Sequence, residues 1–514
     1  GSFHKESIEP YVFLYVLLFA CNLSANMSSC DVDHVLGSGG PLPQQTSKGL
    51  LRYLGVVTVC AFYARALPGP FLPIVLMENF GQTSSMVGMT IAAYPLASLM
   101  ATPFATAWVA NSDNIFRTHS AAVMAMAVTN ASMACAVVVL DLTGPACACL
   151  AVLGFRILQG FGFALYMAAH TVLITRVYPM DVAYILALVE VFVGIGGQLG
   201  RLLGGIVYDH AGFEAPFLSI AIVQAVMACI GASVYAGHSI CGERCMQKQR
   251  EQHAGGEESL ESPRAAVKWS TLLLPRVLVG MLAVLLNFFQ AGFYDATLSP
   301  HLKQHLELSA ATPISILMVL RSTSYLLTSL LCAQLLRNKK VSLEMLIAIG
   351  ASLCSVACLL IPPQQWVSAF VEWTLGKTGH QADYPLRYIL FAQLQVIALI
   401  IGSAGPALLF VPSLPLMQSG VRHLGQAAVE QTTALFMAMM SIGETLGPIV
   451  GGWLAEKHGF QMASMLVILP YASEAALATV TCNPTARDCS PLNSPVCGAS
   501  REREGDENAT YGSC

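Results

Sequence analysis

The sequence carries little charge for its length. Asp, Glu, Lys and Arg together make up 11% of the 514 residues, whereas soluble globular proteins contain about 25%. Apolar residues account for 55% of the chain, and the mean hydropathy is +0.61. This shortage of charge excludes an ordinary soluble domain and predicts a membrane protein that crosses the bilayer several times.

Other features are also missing. The net charge is only −4 and no basic domain is present, so nucleic acid is not expected as a partner. No residue pattern of a hydrolase, a redox enzyme or a phosphate-binding protein occurs, which predicts that the protein is not an enzyme and needs no cofactor. The sixteen cysteines are mostly scattered through apolar runs, where they indicate small buried side chains and neither a disulfide framework nor a metal site.

Long apolar runs are what the sequence has instead. Each contains about 20 residues or more, which is enough for a helix to cross a bilayer. They predict an all-α membrane protein of twelve transmembrane helices in two groups of six. The predicted spans are 51–77, 86–109, 119–141, 147–175, 182–208, 214–237, 275–297, 311–336, 342–362, 388–417, 426–454 and 461–481.

The runs also define a domain organisation. Residues 51–237 and 275–481 form the two six-helix halves, and the charged segment 238–274 between them is predicted to be a solvated linker. Residues 1–50 are an N-terminal segment whose apolar stretch, "YVFLYVLLFACNLS", is too short to span a bilayer. The polar tail 482–514 is predicted to be disordered.

Basic residues in the connections predict the orientation, because Lys and Arg accumulate in cytosolic loops. Placing the linker in the cytosol puts most basic connections on that side, together with both chain ends. These cytosolic connections contain Arg117, Arg176, Arg337, Lys339, Lys340 and Arg422. The other side keeps Lys303, Lys377, Arg387 and Lys457.

A glycine-rich element occurs twice. Residues 196–205 read "GGQLGRLLGG" and residues 443–452 read "GETLGPIVGG", at an offset of 247 positions. Pro448 takes the place of Arg201. The matching glycines are Gly196, Gly200, Gly204 and Gly205 in the first copy and Gly443, Gly447, Gly451 and Gly452 in the second.

This repeat indicates a transporter, in which two parallel six-helix halves enclose a site at the middle of the membrane. Small residues at every fourth position let two helix backbones approach closely, and a proline such as Pro448 bends its helix. The elements therefore predict a gating seam that includes Gly200, Gly204, Gly447 and Gly451. Plain helix packing is the alternative interpretation.

Three stretches carry a resemblance to the major facilitator superfamily. "GETLGPIVGG" resembles its G-x-x-x-G-P-x-x-G-G element, and "GFRILQGFGFALY" (154–166) is similar to its helix 4 signature, with Arg156 as the structural arginine. "AAYPLASLMATPF" (92–104) resembles its second helix. The loop that follows departs from the superfamily's acidic and basic motif and keeps little beyond Arg117.

Two further stretches resemble the vesicular amine and polyamine transporter branch. They are "AGFYDATLSPHLKQHLELS" (291–309) and "RSTSYLLTSLLCAQLLRN" (321–338), and "LPGPFLP" (67–73) and "GFEAPF" (212–217) agree with them. The resemblance covers roughly residues 51 to 481. It implies a monomer in a vesicular, other internal or plasma membrane that exchanges protons for an organic amine.

The resemblance implies that Asp295, in the seventh span, binds the substrate amine. A charge at a helix centre costs about 2.5–3.5 kcal/mol on insertion scales, so Asp295 must face the cavity or a partner. It either binds substrate and protons or forms a structural salt bridge. Tyr325 and Glu444 are further candidates for substrate binding, and Glu190 and Glu444 for proton coupling.

Arginines offset these carboxylates, so the predicted cavity is not plainly cation-selective. They are Arg65, Arg156, Arg201 and Arg321. Arg65 lies too deep in the first span to be an interfacial anchor; it either binds an anionic substrate or is neutralised by Asp295 or Glu444. Arg201 either extends toward the outer gate, where Asp209 lies broadly on the same helix face, or lines the cavity.

Three functions follow from these observations. The first is a secondary active transporter, with proton-driven antiport of an organic amine or polyamine. The second keeps the fold but carries an organic anion or neutral solute, bound by Arg65 and Arg321. The third is a receptor or scaffold that does not transport, and its support is the altered loop after the second span.

Overall fold

A computed structural model of the chain describes residues 44–112, 114–178, 182–235, 271, 274–338, 341–361 and 384–481. The tail 482–514 and almost all of the predicted linker and N-terminal segment lie outside these residues. The described residues form helices and no strand.

Eight helices lie in the described part of the first half. They are α1 (Gln44–Ala66), α2 (Leu72–Glu78), α3 (Ser84–Ala110), α4 (Ile115–Ser132), α5 (Cys135–Thr143), α6 (Pro145–Val177), α7 (Val182–Ala211) and α8 (Glu214–Ile230), which continues as a π turn over Gly231–Tyr235. Five helices lie in the described part of the second half. They are α9 (Pro275–His305), α10 (Ala311–Arg337), α11 (Leu343–Leu360), α12 (Tyr384–Val421), which ends in a short 3₁₀ turn, and α13 (Gln426–Thr481).

These helices make twelve membrane crossings, as the sequence predicts. Eleven segments of the described chain are long and apolar enough to cross a bilayer, and the last, Ala427–Thr481, has 55 residues. An unbroken helix of that length would reach about 80 Å, more than twice the hydrocarbon core. Gly459 divides it, with φ 77° and ψ 160°. Gly212, 247 positions earlier, makes the matching turn with φ 83°.

The first span differs from the prediction because it consists of two helices. α1 begins at Gln44 and ends at Ala66, and α2 begins at Leu72. Pro68 and Pro70 lie between them, and neither has an N–H group to continue the helical hydrogen bonds. The seventh span is longer than the predicted 275–297, because α9 continues to His305 and carries Pro300 inside it.

Each half has its own apolar core. Within the halves, α1 packs on α7, α3 on α6, and α9 on α13. The halves meet where α3 contacts α13 and where α7 contacts α10. These two contacts correspond to each other in the repeat, so the interface between the halves is itself symmetric.

Several contacts between the halves lie at one end of the bundle, which we call the closed end. Lys303 Nζ of α9 lies 2.5 Å from Glu78 Oε2 at the end of α2, and Ser299 Oγ donates to the Gly69 carbonyl at 2.9 Å. The predicted orientation puts the closed end on the non-cytosolic side of the membrane.

Candidate functional site

The seam glycines pack within each half. A Cβ atom at Gly200 would lie closer than 3.0 Å to the carbonyl oxygen of Tyr63 in α1, and one at Gly447 would meet that of Phe289 in α9 in the same way. The other members pack in a similar way. Gly196 faces α1, Gly204 faces Leu67 directly after α1, and Gly443 and Gly451 face α9. These glycines therefore pack pairs of helices together inside a half, which favours the alternative interpretation of plain helix packing.

The last glycine of each element has a different partner. A Cβ atom at Gly205 would collide with Ser315 of α10, and one at Gly452 would collide with the Ser84 carbonyl oxygen and the Gly88 Cα atom of α3. Both contacts cross between the halves at the closed end. The fourth glycine of each element therefore contacts the opposite half, whereas the first three contact their own half.

Gly447→Leu is expected to destabilise the second half. The leucine would be forced against the α9 backbone, and overpacking of this kind typically costs about 1–3 kcal/mol or more. Thermal unfolding of the purified protein should begin at a lower temperature than in the wild type. Gly154→Leu is the matched control, because a Cβ atom at Gly154 meets no atom within 4 Å. Equal unfolding temperatures for the two variants would contradict this packing.

Arg201 and Pro448 occupy corresponding positions but behave differently. Arg201 Nη1 lies 3.4 Å from the carbonyl oxygen of Gly197, one turn back along α7 and away from the closed end. This position of the side chain does not match the predicted extension toward the outer gate. Gly197 has no side chain and leaves room for the guanidinium, and the Asp209 carboxylate already accepts a hydrogen bond from α10. Pro448 packs against Gly292 of α9.

An ion pair crosses between the halves at the centre of the bundle. Arg65 Nη2 of α1 contacts Glu444 Oε1 of α13, and both side chains are about one-third exposed, at 29% and 28%. The Arg65 guanidinium carbon also lies 5.4 Å from the ring centroid of Phe163 and 5.9 Å from that of Tyr94. Aromatic faces attract a cation at these distances, so the structure neutralises Arg65 with groups of the protein itself.

Arg156 is almost fully buried, with 5% exposure. Its Nη1 atom donates to Gln159 Oε1 at 2.9 Å, and its guanidinium carbon lies 4.7 Å from the Tyr94 ring centroid. A chain of amides continues from there: Gln159 donates to Asn130, Asn130 to Gln224, and Gln224 to the Cys60 carbonyl. The network ties α6 to α4, α8 and α1, which suits a structural arginine.

Asp295 is half-buried on α9. Among the described residues its carboxylate accepts no hydrogen bond and has no basic nitrogen within 4.0 Å. It interacts electrostatically at longer range with Arg156 of the first half and Arg321 of the second. The Arg321 guanidinium carbon lies 5.1 Å from the Tyr294 ring centroid, and Arg321 also interacts electrostatically with Arg201. Asp295 is thus a carboxylate that interacts electrostatically with two arginines and has no direct partner in the described part of the chain.

Glu190 and Tyr325 form a separate group. Glu190 of α7 is exposed, Tyr325 of α10 is half-buried, and the two side chains interact electrostatically across the interface between the halves. In the described part of the chain, no contact joins them to Asp295 or Glu444. The predicted site residues therefore fall into two groups, of which the central one holds most of the charges.

Sequence reasoning passed over several residues of this region. Tyr94 lies beside both Arg65 and Arg156, although its only sequence signal is a place in the "AAYPLASLMATPF" stretch. Glu474 of α13 is fully buried, and neither of its carboxylate oxygens has a partner among the described residues. Its position near the end of the last span offered no motif that would single it out.

A buried histidine pair was also passed over. His119 Nε2 of α4 lies 3.2 Å from His170 Nδ1 of α6, and His170 Nε2 lies 3.1 Å from Thr58 Oγ1 of α1. Tyr166 donates to the same threonine at 3.3 Å. These groups join three helices inside the first half, and only their spatial proximity makes them recognisable.

Two six-helix halves that meet at a central group of charged residues are the architecture of a membrane transporter of the alternating two-half type. A sequence model described as Major Facilitator Superfamily matches residues 54–429. The chain belongs to the major facilitator superfamily and is a multi-pass membrane protein.

Relatives support this assignment. The MFS-type transporter SLC18B1 of Mus musculus is 25% identical over 407 residues, which cover 77% of this chain and 78% of the relative. The protein of the same name from Homo sapiens is 24% identical over 446 residues, covering 84% of this chain and 87% of the relative. The chain is similar to these transporters along most of its length.

Solved structures show the same fold. A bacterial homolog of the human lysosomal transporter Spinster, in an inward-facing and occupied conformation, has a TM-score of 0.60 at 14% identity, covering 86% of this chain and 98% of that chain. The nucleoside transporter NupG has a TM-score of 0.59 at 12% identity, covering 84% and 99% of the two chains.

Proposed function

We propose that the protein is a proton-coupled antiporter that moves an organic amine or polyamine by alternating access. The observation that carries this proposal is the distribution of charge at the centre. Glu444 neutralises Arg65, whereas the Asp295 carboxylate is left without a direct partner among the described residues. An unpaired carboxylate in a cavity is suited to an ammonium group or a proton.

The exchange follows from competition for this carboxylate. Asp295 holds either a proton or the substrate ammonium, because the protonated acid no longer attracts a cation. Protons entering from the acidic side therefore release the amine there, and binding of one ligand weakens binding of the other by the same factor. A vesicular membrane, whose interior is acidic, is the setting in which this exchange would accumulate amines.

The conformation fits the loading step of such a cycle. The halves touch at the closed end, which the predicted orientation places on the non-cytosolic side. In the described part of the chain, the hydrogen bonds between the backbone of one half and side chains of the other lie at this closed end. We infer that this conformation receives its substrate from the cytosol.

The second candidate is a transporter of organic anions by the same fold. The specific observation in its favour is that Arg201 and Arg321 interact electrostatically, and that among the described residues neither has a carboxylate within 4.0 Å. Two arginines without a direct carboxylate partner suit an anionic substrate. A receptor or scaffold that does not transport has gained no observation beyond the altered loop after the second span.

Arg65→Gln separates the two substrates. If the substrate is a cation, removing Arg65 frees Glu444, and stabilisation by spermidine should persist or increase. If the substrate is an anion that Arg65 binds, the variant should lose stabilisation by a dicarboxylate such as succinate. The measurement is ligand-induced thermal stabilisation of purified wild type and variant. We expect a spermidine effect in both.

Arg117→Gln is the matched control, because Arg117 is exposed near the start of α4 and should leave both ligand effects unchanged. Stabilisation by the dicarboxylate in the wild type only, with no spermidine effect in either protein, would contradict the amine proposal.

A further inference from the structure

The repeat contains a second correspondence beyond its glycines. Asp209 follows the glycine element of α7, and Glu456 follows the element of α13 at the same offset of 247 positions. Both residues are acidic, and both are exposed at the closed end. Each carboxylate reaches the beginning of a helix in the opposite half.

Asp209 caps α10. Its Oδ1 atom accepts from the Ala311 backbone N–H at 2.9 Å, and its Oδ2 atom accepts from the Thr312 N–H at 2.7 Å and from the Thr312 hydroxyl at 2.6 Å. The first N–H groups of a helix have no partner within the helix. The residue at the N-cap position of α10 is Ala310, whose side chain cannot accept a hydrogen bond. The cap is therefore supplied by the other half of the protein.

Glu456 does the same for α3. Its Oε2 atom accepts from the Ser85 backbone N–H at 2.9 Å, and the Ser85 and Thr83 side chains interact electrostatically with the carboxylate. Thr83, the N-cap residue of α3, makes only a long bond of 3.4 Å to the Met86 N–H. A carboxylate at a helix N-terminus also interacts favourably with the helix dipole.

The two capped positions correspond as well. Gly200 packs against Tyr63 of α1, and Gly447 packs against Phe289 of α9. Tyr63 and Phe289 are 226 positions apart. The capped residues Ser85 and Ala311 are separated by the same 226 positions. Each half therefore donates one carboxylate and receives one, at matching places. Two unrelated surface contacts would not share both offsets.

We propose that Asp209 and Glu456 form a paired latch that holds the closed end shut. Both caps join residues of different halves, so they exist only while the halves touch there. When the closed end opens, the capped N–H groups of both helices lose their carboxylate acceptors and must form hydrogen bonds with water instead. The latch therefore sets the balance between the two conformations of the transport cycle. The proposal rests on the alternating-access part of the proposed function but not on the substrate.

Hydrogen–deuterium exchange measured by mass spectrometry tests the latch in the full chain, reconstituted in lipid nanodiscs without substrate. The variants are Asp209→Ala, Glu456→Ala and the double variant. Loss of a helix cap shifts an equilibrium by about two- to thirtyfold, and the double variant should shift it by roughly the product.

The expected result is a coordinated change. Either single variant should raise exchange in peptides covering both 83–90 and 309–316, and lower it in peptides from the opposite ends of α7 and α10, over 188–196 and 326–337. Asp209→Asn keeps one acceptor oxygen and should change exchange less than Asp209→Ala. Asp141→Ala is the matched control and should have no effect, because it removes an exposed carboxylate near the last residue of α5.

A merely local cap would give a different pattern. If each variant raises exchange only at the helix whose own cap it removes, or changes nothing, the latch is overturned. If an alanine variant is not recovered as a folded protein, Thr312→Val removes one donor to Asp209 and should still raise exchange over 83–90. The readout needs no substrate, so a failed amine-uptake test and a failed latch are separate results.

Discussion

Asp295→Asn is expected to reduce proton-driven amine uptake to the level of empty liposomes while the protein still folds. Asparagine keeps the size of the side chain but loses the charge that attracts an ammonium group and the site that exchanges a proton. The loss should be complete because, among the described residues, Asp295 is the carboxylate of the central group that has no direct partner. The measurement is uptake of radiolabelled spermidine into proteoliposomes with an acidic interior.

The control for this variant is Asp141→Asn, which removes an exposed carboxylate at the end of α5 and should transport like the wild type. Both proteins should unfold at the wild-type temperature, because Asp295 makes no hydrogen bond to another described residue. Full uptake by Asp295→Asn would remove this residue from the mechanism.

Gly452→Leu is expected to keep the closed end from forming. The glycine lies against the Ser84 carbonyl oxygen and the Gly88 Cα atom in the other half, so a leucine must push α13 away from α3. Protein interiors do not absorb a side chain of this size without a shift. Transport should fall to background, because a carrier that cannot close one end cannot complete its cycle.

Hydrogen exchange distinguishes this failure from misfolding. Gly452→Leu should raise exchange over 83–90 and leave the cores of both halves protected, whereas Gly447→Leu should weaken protection throughout α9 and α13. Gly194→Leu is the control, since a Cβ atom at Gly194 meets no atom within 4 Å. Wild-type exchange at 83–90 in Gly452→Leu would show that the contact is not needed for closure.

The twelve crossings were predictable because each depends on the length and polarity of one continuous segment. The division into two halves was also predictable, because all matching glycines of the two elements are separated by the same number of positions. The first span was predicted only as a whole, because hydropathy does not register the missing N–H groups of Pro68 and Pro70. The length of α9 was underestimated because its last turns, with Lys303 and His305, are polar.

The site was less predictable, because its contacts join residues hundreds of positions apart. The sequence predicted that Asp295 or Glu444 could neutralise Arg65. Only the fold shows that the acid in contact with Arg65 is Glu444. It likewise could not show that Gly447 faces α9 whereas Gly452 faces α3. Both glycines have the same local pattern, and the difference lies in which helix each one meets.

We propose above all that this transporter exchanges protons for an organic amine. The most direct test is uptake by the purified protein in proteoliposomes with an acidic interior, with a panel of radiolabelled amines and organic acids. We expect that spermidine or another amine accumulates, that collapse of the pH gradient by an uncoupler abolishes accumulation, and that organic acids do not accumulate. Accumulation of an organic acid, with no uptake of any amine, would contradict it.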